Sequence, residues 1–208
     1  MPETTPVEMR DKAIIAFTIL TGARDGAIVS FQLKHLDIAR RCVEQDARVV
    51  KTKYGKTFTT YFFPVGDDIA SIVLAWAHAL REQHLWGSED PLFPATKVQI
   101  GQSGKFESAG IARTAWTTAA PVREIFRRAF TSAGLTYFNP HSFRKTLVQL
   151  GEDKCQSPEE FKAWSQNLGH EGVLTTFNSY GAVSTARQAE ILADLGKERR
   201  PVLIPDAE

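Results

Sequence analysis

Only two short stretches of this chain, residues 48–53 and 57–63, concentrate β-branched and aromatic side chains, with Tyr54-Gly55-Lys56 between them as a turn. That pattern predicts one antiparallel hairpin. Everything around it carries the punctuation of helices. Apolar side chains at Val7, Ile14, Phe17 and Leu20 predict a helix ended by Gly22, and residues 27–33 a second, short one. Asp67 or Asp68 can cap a helix whose apolar face is Ile69, Ile72, Val73, Trp76 and Leu80. Residues 86–120 lack periodicity and predict an extended loop. Pro121 then opens a helix running to Phe130, and Asn139-Pro140 opens another that ends near Gly151. Ser157-Pro158-Glu159-Glu160 matches a capping box, with Phe161, Trp164 and Leu168 facing inward and Gly169 terminating the helix. An amphipathic helix over residues 185–195 completes the order. The expected class is therefore mainly α with a small antiparallel β-sheet (α+β).

The gross numbers agree with one globular unit. At 208 residues, with 43% hydrophobic and 24% charged residues, the chain can bury a core of its own. No apolar run approaches the ~20 residues that span a bilayer, and no secretory signal pattern is present. Cys42 and Cys155 are far apart, so neither a disulfide framework nor a zinc site is expected, and the simplest setting is reducing and intracellular. A net charge of +1 is low for a nucleic-acid partner, yet the bases cluster. Lys51, Lys53 and Lys56 stand together, as do Arg123, Arg127 and Arg128, and Arg144 with Lys145.

Some of these bases belong to motifs that suit phosphodiester chemistry. His141 and Arg144 are spaced i, i+3 and so share one helix face. Arginine offers a planar fork that donates two hydrogen bonds to phosphate and stays charged. A second arginine, Arg24, lies far upstream in Thr21-Gly22-Ala23-Arg24, and two such groups can clamp both non-bridging oxygens. Leu168-Gly169-His170 adds a histidine just past a helix end, and Tyr180 follows ten residues later. A phenol with a pKa near ~10 is a weak nucleophile that depends on such electrostatic help. No carboxylate or histidine cluster has metal-ligand spacing.

Taken in order, Thr21-Gly22-Ala23-Arg24, the lysines of the hairpin, Pro140-His141-Ser142-Phe143-Arg144, Leu168-Gly169-His170 and Tyr180 resemble the catalytic domain of the tyrosine recombinases, the phage-integrase family. The resemblance implies a site-specific DNA recombinase that needs no cofactor, metal or ATP. It implies Tyr180 as nucleophile, forming a 3′-phosphotyrosyl link, with Arg24, Arg144 and His170 stabilising the transition state. His141 would act as acid/base or phosphate donor. Lys53 would protonate the leaving oxygen, with Lys51 and Lys56 as rivals. Two positions depart from the family pattern: its tyrosine usually falls where Ser179 stands here, and its acid three residues after the first arginine is replaced by Ala27, so that either Asp25 substitutes or the support is absent.

The same resemblance implies double-stranded DNA as partner, a homotetramer on that DNA, and a cytoplasmic, nucleoid-associated setting in a prokaryote. It divides the chain into a catalytic unit over residues 1–183 and a C-terminal helix and tail over 184–208 exchanged between protomers. It also implies an N-terminal DNA-clamp domain in a longer protein. A type IB topoisomerase-like activity, or a non-catalytic DNA-binding module of the same fold, are the alternatives.

Overall fold

Helix α1 (Pro6–Thr21) is the axis on which the other elements are arranged, and its ends explain its length. Thr5 accepts a hydrogen bond from the Glu8 amide through its hydroxyl while the Glu8 carboxylate accepts one from the Thr5 amide, a reciprocal capping box with Pro6 in the first turn. At the other end Gly22 turns left-handed (φ 61°) and stops the helix. Ala13, Ile14, Phe17 and Leu20 are fully buried. Phe17 meets Phe31 and Phe93 edge-on, with ring centroids 5.3 and 5.0 Å apart. The computed structural model describes residues 1–102, 104–170 and 184–197.

After α1 come α2 (Asp25–Ile28) and a single 3-10 turn at Leu33–His35. A three-stranded antiparallel meander follows, with β1 (Leu36–Asp37), β2 (Cys42–Gln45) and β3 (Phe58–Tyr61) side by side. Helix α3 (Asp67–His78), extended by a π-helical turn over Ala79–Gln83, packs on α1. Its Trp76 donates from Nε1 to the Leu92 carbonyl at 2.8 Å. Strands β4 (Pro94–Ile100) and β5 (Phe106–Ala115) form a second, two-stranded ribbon. Helices α4 (Ala120–Ser132), α5 (Pro140–Lys154) and α6 (Pro158–Asn167) follow. Helix α7 (Thr185–Lys197) stands last.

The fold is mainly α with small antiparallel sheets, as expected, but several local expectations are corrected. Residues 48–50 form a turn; the strand that pairs with β3 lies earlier, at Cys42–Gln45, in register Cys42↔Tyr61 to Gln45↔Phe58. That strand hides a polar residue: Gln45 is buried and donates to the Thr60 hydroxyl at 2.9 Å, so no apolar alternation marks it. Lys53 therefore sits in the loop between β2 and β3, not at a strand end. The hairpin is also not alone, since residues 86–120 contain β4 and β5. Both faces of the outer half of that ribbon lie in water, which removes the one-sided burial that makes a strand legible.

Smaller corrections concern helix ends. The helix expected over 27–33 is only Asp25–Ile28. Asp67 and Asp68 occupy the first turn of α3, whose cap is Gly66. Gly151 does not end α5; it lies inside the helix, where a Cβ would strike the Trp164 indole at 2.6 Å. Ser157 caps α6 as expected, but the Glu160 carboxylate accepts from the Gln156 amide.

Apolar side chains fall into two clusters. The larger surrounds α1 and takes in α2, α3 and Val122, Ile125 and Phe126 of α4. The smaller joins Phe63, Leu147, Val148 and Leu168. Gly22 lies at the seam between them: a Cβ there would sit 2.8 Å from Leu168 and 3.0 Å from Leu147.

Candidate active site

Three segments distant in sequence are tied together at that seam by one side chain. Asn139 caps α5 by accepting from the Ser142 amide through its side chain, and Pro140 follows in the first turn. That start places His141 and Arg144 one turn apart on the same face. Arg144 turns inward and is only 5% exposed. Its Nη1 donates to the Gly22 carbonyl at 2.5 Å, and its Nη2 donates to the Leu168 carbonyl at 2.7 Å and lies 3.1 Å from Nε2 of His170. A guanidinium only donates, so in this contact Nε2 of His170 is the acceptor. One arginine thus fastens the end of α1, the start of α5 and the end of α6.

Arg144 makes these bonds without a carboxylate partner among the described residues. Burial, followed by the charge of Arg24, pushes its pKa down to about 9, which leaves it charged at neutral pH. Arg24 sits at the cap of α2 in extended conformation, with its carbonyl accepting from the Ala27 and Ile28 amides. No described residue hydrogen-bonds its guanidinium, and burial lowers its pKa as well, opposed by Tyr54. His141 is exposed, and burial of its ring environment together with Arg144, Arg24 and Lys145 lowers its pKa against the opposing pull of Asp25. The site is therefore a concentration of positive charge with free donors, suited to a tetrahedral anion.

Asp25 does not reach the clamp arginines. Its carboxylate accepts from Arg123 at 2.7 Å, bracing α2 against α4. Ala27 is buried in the main core. Of the three candidate lysines, Lys51 donates from Nζ to the Thr117 carbonyl at 3.2 Å. Lys53 opens the 3-10 turn Lys53–Gly55, in which Tyr54 is left-handed (φ 62°), and Lys56 follows it. Tyr180 and its neighbour Ser179 lie outside the described residues, as does the boundary drawn at 183.

The end of α6 is held by residues that sequence reasoning passed over. Strand β3 is an edge strand, and the carboxamide of Asn167 supplies the missing neighbour: Oδ1 accepts from the Tyr61 amide at 2.7 Å, and Nδ2 donates to the Tyr61 carbonyl at 2.9 Å. The Asn167 carbonyl in turn accepts from the Thr60 hydroxyl at 3.1 Å, continuing the link from Gln45. Gly169 (φ 71°) lies so close to the Phe58 ring that a Cβ would come within 2.7 Å. The meander therefore seats Leu168-Gly169-His170 directly. An asparagine on a polar helix end gives no sequence signal of such a role.

Among the described residues no three His, Cys, Asp or Glu side chains converge as a metal site would require.

The arrangement has close counterparts. The sequence profile of the phage integrase family matches residues 1–187. Tyrosine recombinase XerD of Neisseria meningitidis (serogroup A / serotype 4A, strain DSM 15465 / Z2491) is 29% identical over 182 residues, covering 84% of this chain and 52% of that protein. Among solved structures, XerA recombinase superposes with a TM-score of 0.58 at 16% identity, over 94% of this chain and 63% of that one. XerH site-specific recombinase bound to its difH substrate superposes with a TM-score of 0.59 at 19% identity, over 93% and 49% respectively. This chain spans about half the length of the XerD relative it matches. The match over residues 1–187 places this chain in the phage integrase family.

Proposed function

We propose that this chain is the catalytic domain of a site-specific DNA recombinase, cleaving and rejoining DNA through a phosphotyrosyl intermediate. The observation that carries the reading is Arg144, a buried guanidinium held by carbonyls and a histidine with no carboxylate on it among the described residues, beside Arg24, whose guanidinium no described residue hydrogen-bonds. A scissile phosphate supplies the missing negative charge. Tyr180 Oη attacks the phosphorus and forms the 3′-phosphotyrosyl bond as the bond to the 5′ oxygen breaks. Its proton passes to His141, whose pKa burial and then the surrounding positive charge hold below the ordinary histidine value, so that it is able to accept. Lys53 gives a proton to the departing 5′ oxygen, and Arg24, Arg144 and His170 hold the charge that builds on the non-bridging oxygens. Rejoining runs the steps in reverse on a new strand.

Duplex DNA is the partner, and XerH is a relative captured on its DNA substrate. Residues 1–183 carry the chemistry, and 184–208 pass to a neighbouring protomer in a homotetramer. Helix α7 is suited to that exchange, since Leu192 is exposed and so are Ala189 and Ala193 beside it. An N-terminal clamp domain closes the other side of the duplex in the full-length protein, which acts at the cytoplasmic nucleoid. Among the described residues no helix is long and apolar enough to cross a membrane.

The test uses nicked duplexes from the DNA flanking the gene, which trap the covalent step by losing the short leaving strand. A protein–DNA adduct on a denaturing gel, absent from Tyr180→Phe while its gel shift persists, is the expected result. An adduct that survives in Tyr180→Phe removes the nucleophile assignment. Relaxation of supercoiled plasmid without sequence preference favours the topoisomerase-like activity. DNA binding with no adduct favours a non-catalytic module, a reading that buried Ala27, where the family has an acid, supports.

A further inference from the structure

Beyond Thr96 and Ile111 the β4–β5 ribbon leaves the body of the domain, and its outer residues 97–100 and 104–108 are exposed on both faces. The register Val98↔Ser108, Gln99↔Glu107 and Ile100↔Phe106 sorts them. Val98, Ile100 and Phe106 fall on one face, with Ile100 71% and Phe106 79% exposed. Lys97, Gln99, Lys105 and Glu107 fall on the other. The Glu107 carboxyl lies close to Gly101 in the turn, and the face carries two lysines against that one carboxylate.

The root of the ribbon is tied to α1 and to the lysine-bearing loop. Arg10 donates from Nη1 to the Pro94 carbonyl and the Thr96 hydroxyl, both at 3.0 Å, and stacks 4.6 Å over Trp116. Lys51, in the lysine-bearing loop, bonds the Thr117 carbonyl just after β5. A duplex lying across Arg24 and that loop passes the root of the ribbon.

Resting on the recombinase reading, we propose that this ribbon is a DNA-gripping arm, its lysine face on phosphates and its apolar tip against base edges in a groove of the duplex. A two-stranded antiparallel ribbon fits the major groove, and apolar side chains there contact thymine methyl groups. The charge of the polar face complements phosphate. The apolar face is too small for a stable contact with a second copy: its three side chains expose on the order of 400 Å², about half of the ~800 Å² that each partner gives to a standard interface.

The test compares the full chain with a Lys97→Ala/Lys105→Ala double variant and with Phe106→Ser, on a mixed-sequence duplex across a salt series. All three positions are exposed, and thermal melting verifies that folding is intact. The double variant is expected to bind about tenfold more weakly and to lower the slope of log K against log salt by about 1.8, at roughly 0.9 per phosphate contact. Phe106→Ser is expected to bind several-fold more weakly with the slope unchanged. Variants that bind like the parent overturn the arm, and so does a Phe106→Ser effect confined to self-association in sedimentation. The parent's adduct, lost in Tyr180→Phe, reports on the recombinase reading separately. If the parent binds no duplex at all, both readings fall.

Discussion

Among the described residues two arginines are almost fully buried, one toward each end of α1, and they are satisfied in opposite ways. Arg10, 1% exposed, is neutralised within the protein: Nε and Nη2 donate to Asp11 Oδ1 at 3.0 and 2.7 Å, and Asp11 also accepts from Arg128 at 2.9 Å. Arg144, 5% exposed, is offered two carbonyls and a histidine, and the charge of Arg24 acts on it. Burial lowers the pKa of both, but Asp11 opposes the effect at Arg10 whereas Arg24 adds to it at Arg144. Burying a charge without its counter-ion costs free energy that packing alone does not return. The first arginine therefore serves the fold, while the second stands ready for an anion from outside.

The strongest test of that contrast is chemical. Arg144→Lys keeps the charge but loses the planar fork, so it cannot hold the Gly22 and Leu168 carbonyls and a phosphate oxygen together. Adduct formation on the nicked duplex should fall about 10³-fold, the lower range for an arginine at a phosphoryl-transfer centre, with duplex affinity little changed. A near-parental rate would break the comparison. Arg10→Met should show the reverse. It leaves Asp11 with only an exposed partner, and urea unfolding should report a loss of about 3–5 kcal/mol while the folded fraction cleaves at the parental rate under saturating DNA.

Gly22→Ala probes the joint between the two clusters. Its left-handed backbone costs a side-chain-bearing residue about 1–2 kcal/mol, and the new methyl meets Leu168 and Leu147. Thermal melting should fall accordingly, with a drop in cleavage smaller than that of Arg144→Lys because the guanidinium survives. The smallest effect concerns pH. His141 has its folded-state pKa below the ordinary 6.5, so its ring is neutral at pH 7 and gains a proton only on the acid side of that value. The acid limb of kcat/KM for adduct formation, which reports the free protein, should therefore bend below pH 6.5 and disappear in His141→Gln. An acid limb that persists in the variant would assign it to another group.

Much of the helical frame was legible because its signals are local. Gly22, Asn139-Pro140, Ser157-Pro158 and Gly169 act within a few residues, through caps and left-handed turns, whereas the Thr5–Glu8 capping box passed unread. The motifs around Arg24, Arg144 and His170 were equally legible, and the structure brings these segments together. The strands were not. Gln45 is buried because Thr60 answers it, and the tip of β4–β5 lies in water on both faces, so neither shows the alternation that sequence reading depends on. Gly151 looked like a terminator, yet its meaning is the Trp164 ring lying against it.

By itself, then, the sequence determined where helices begin and end, which basic residues could meet a phosphate, and the family in which that order occurs. Tertiary structure alone decided that Arg144 rather than Arg10 lacks a counter-ion among the described residues, that Asp25 belongs to Arg123, and that Asn167 ties the end of α6 to β3. The reason is physical. Caps and periodicity depend on neighbours along the chain, whereas the charge state and aim of a buried polar group depend on partners that are close only after folding.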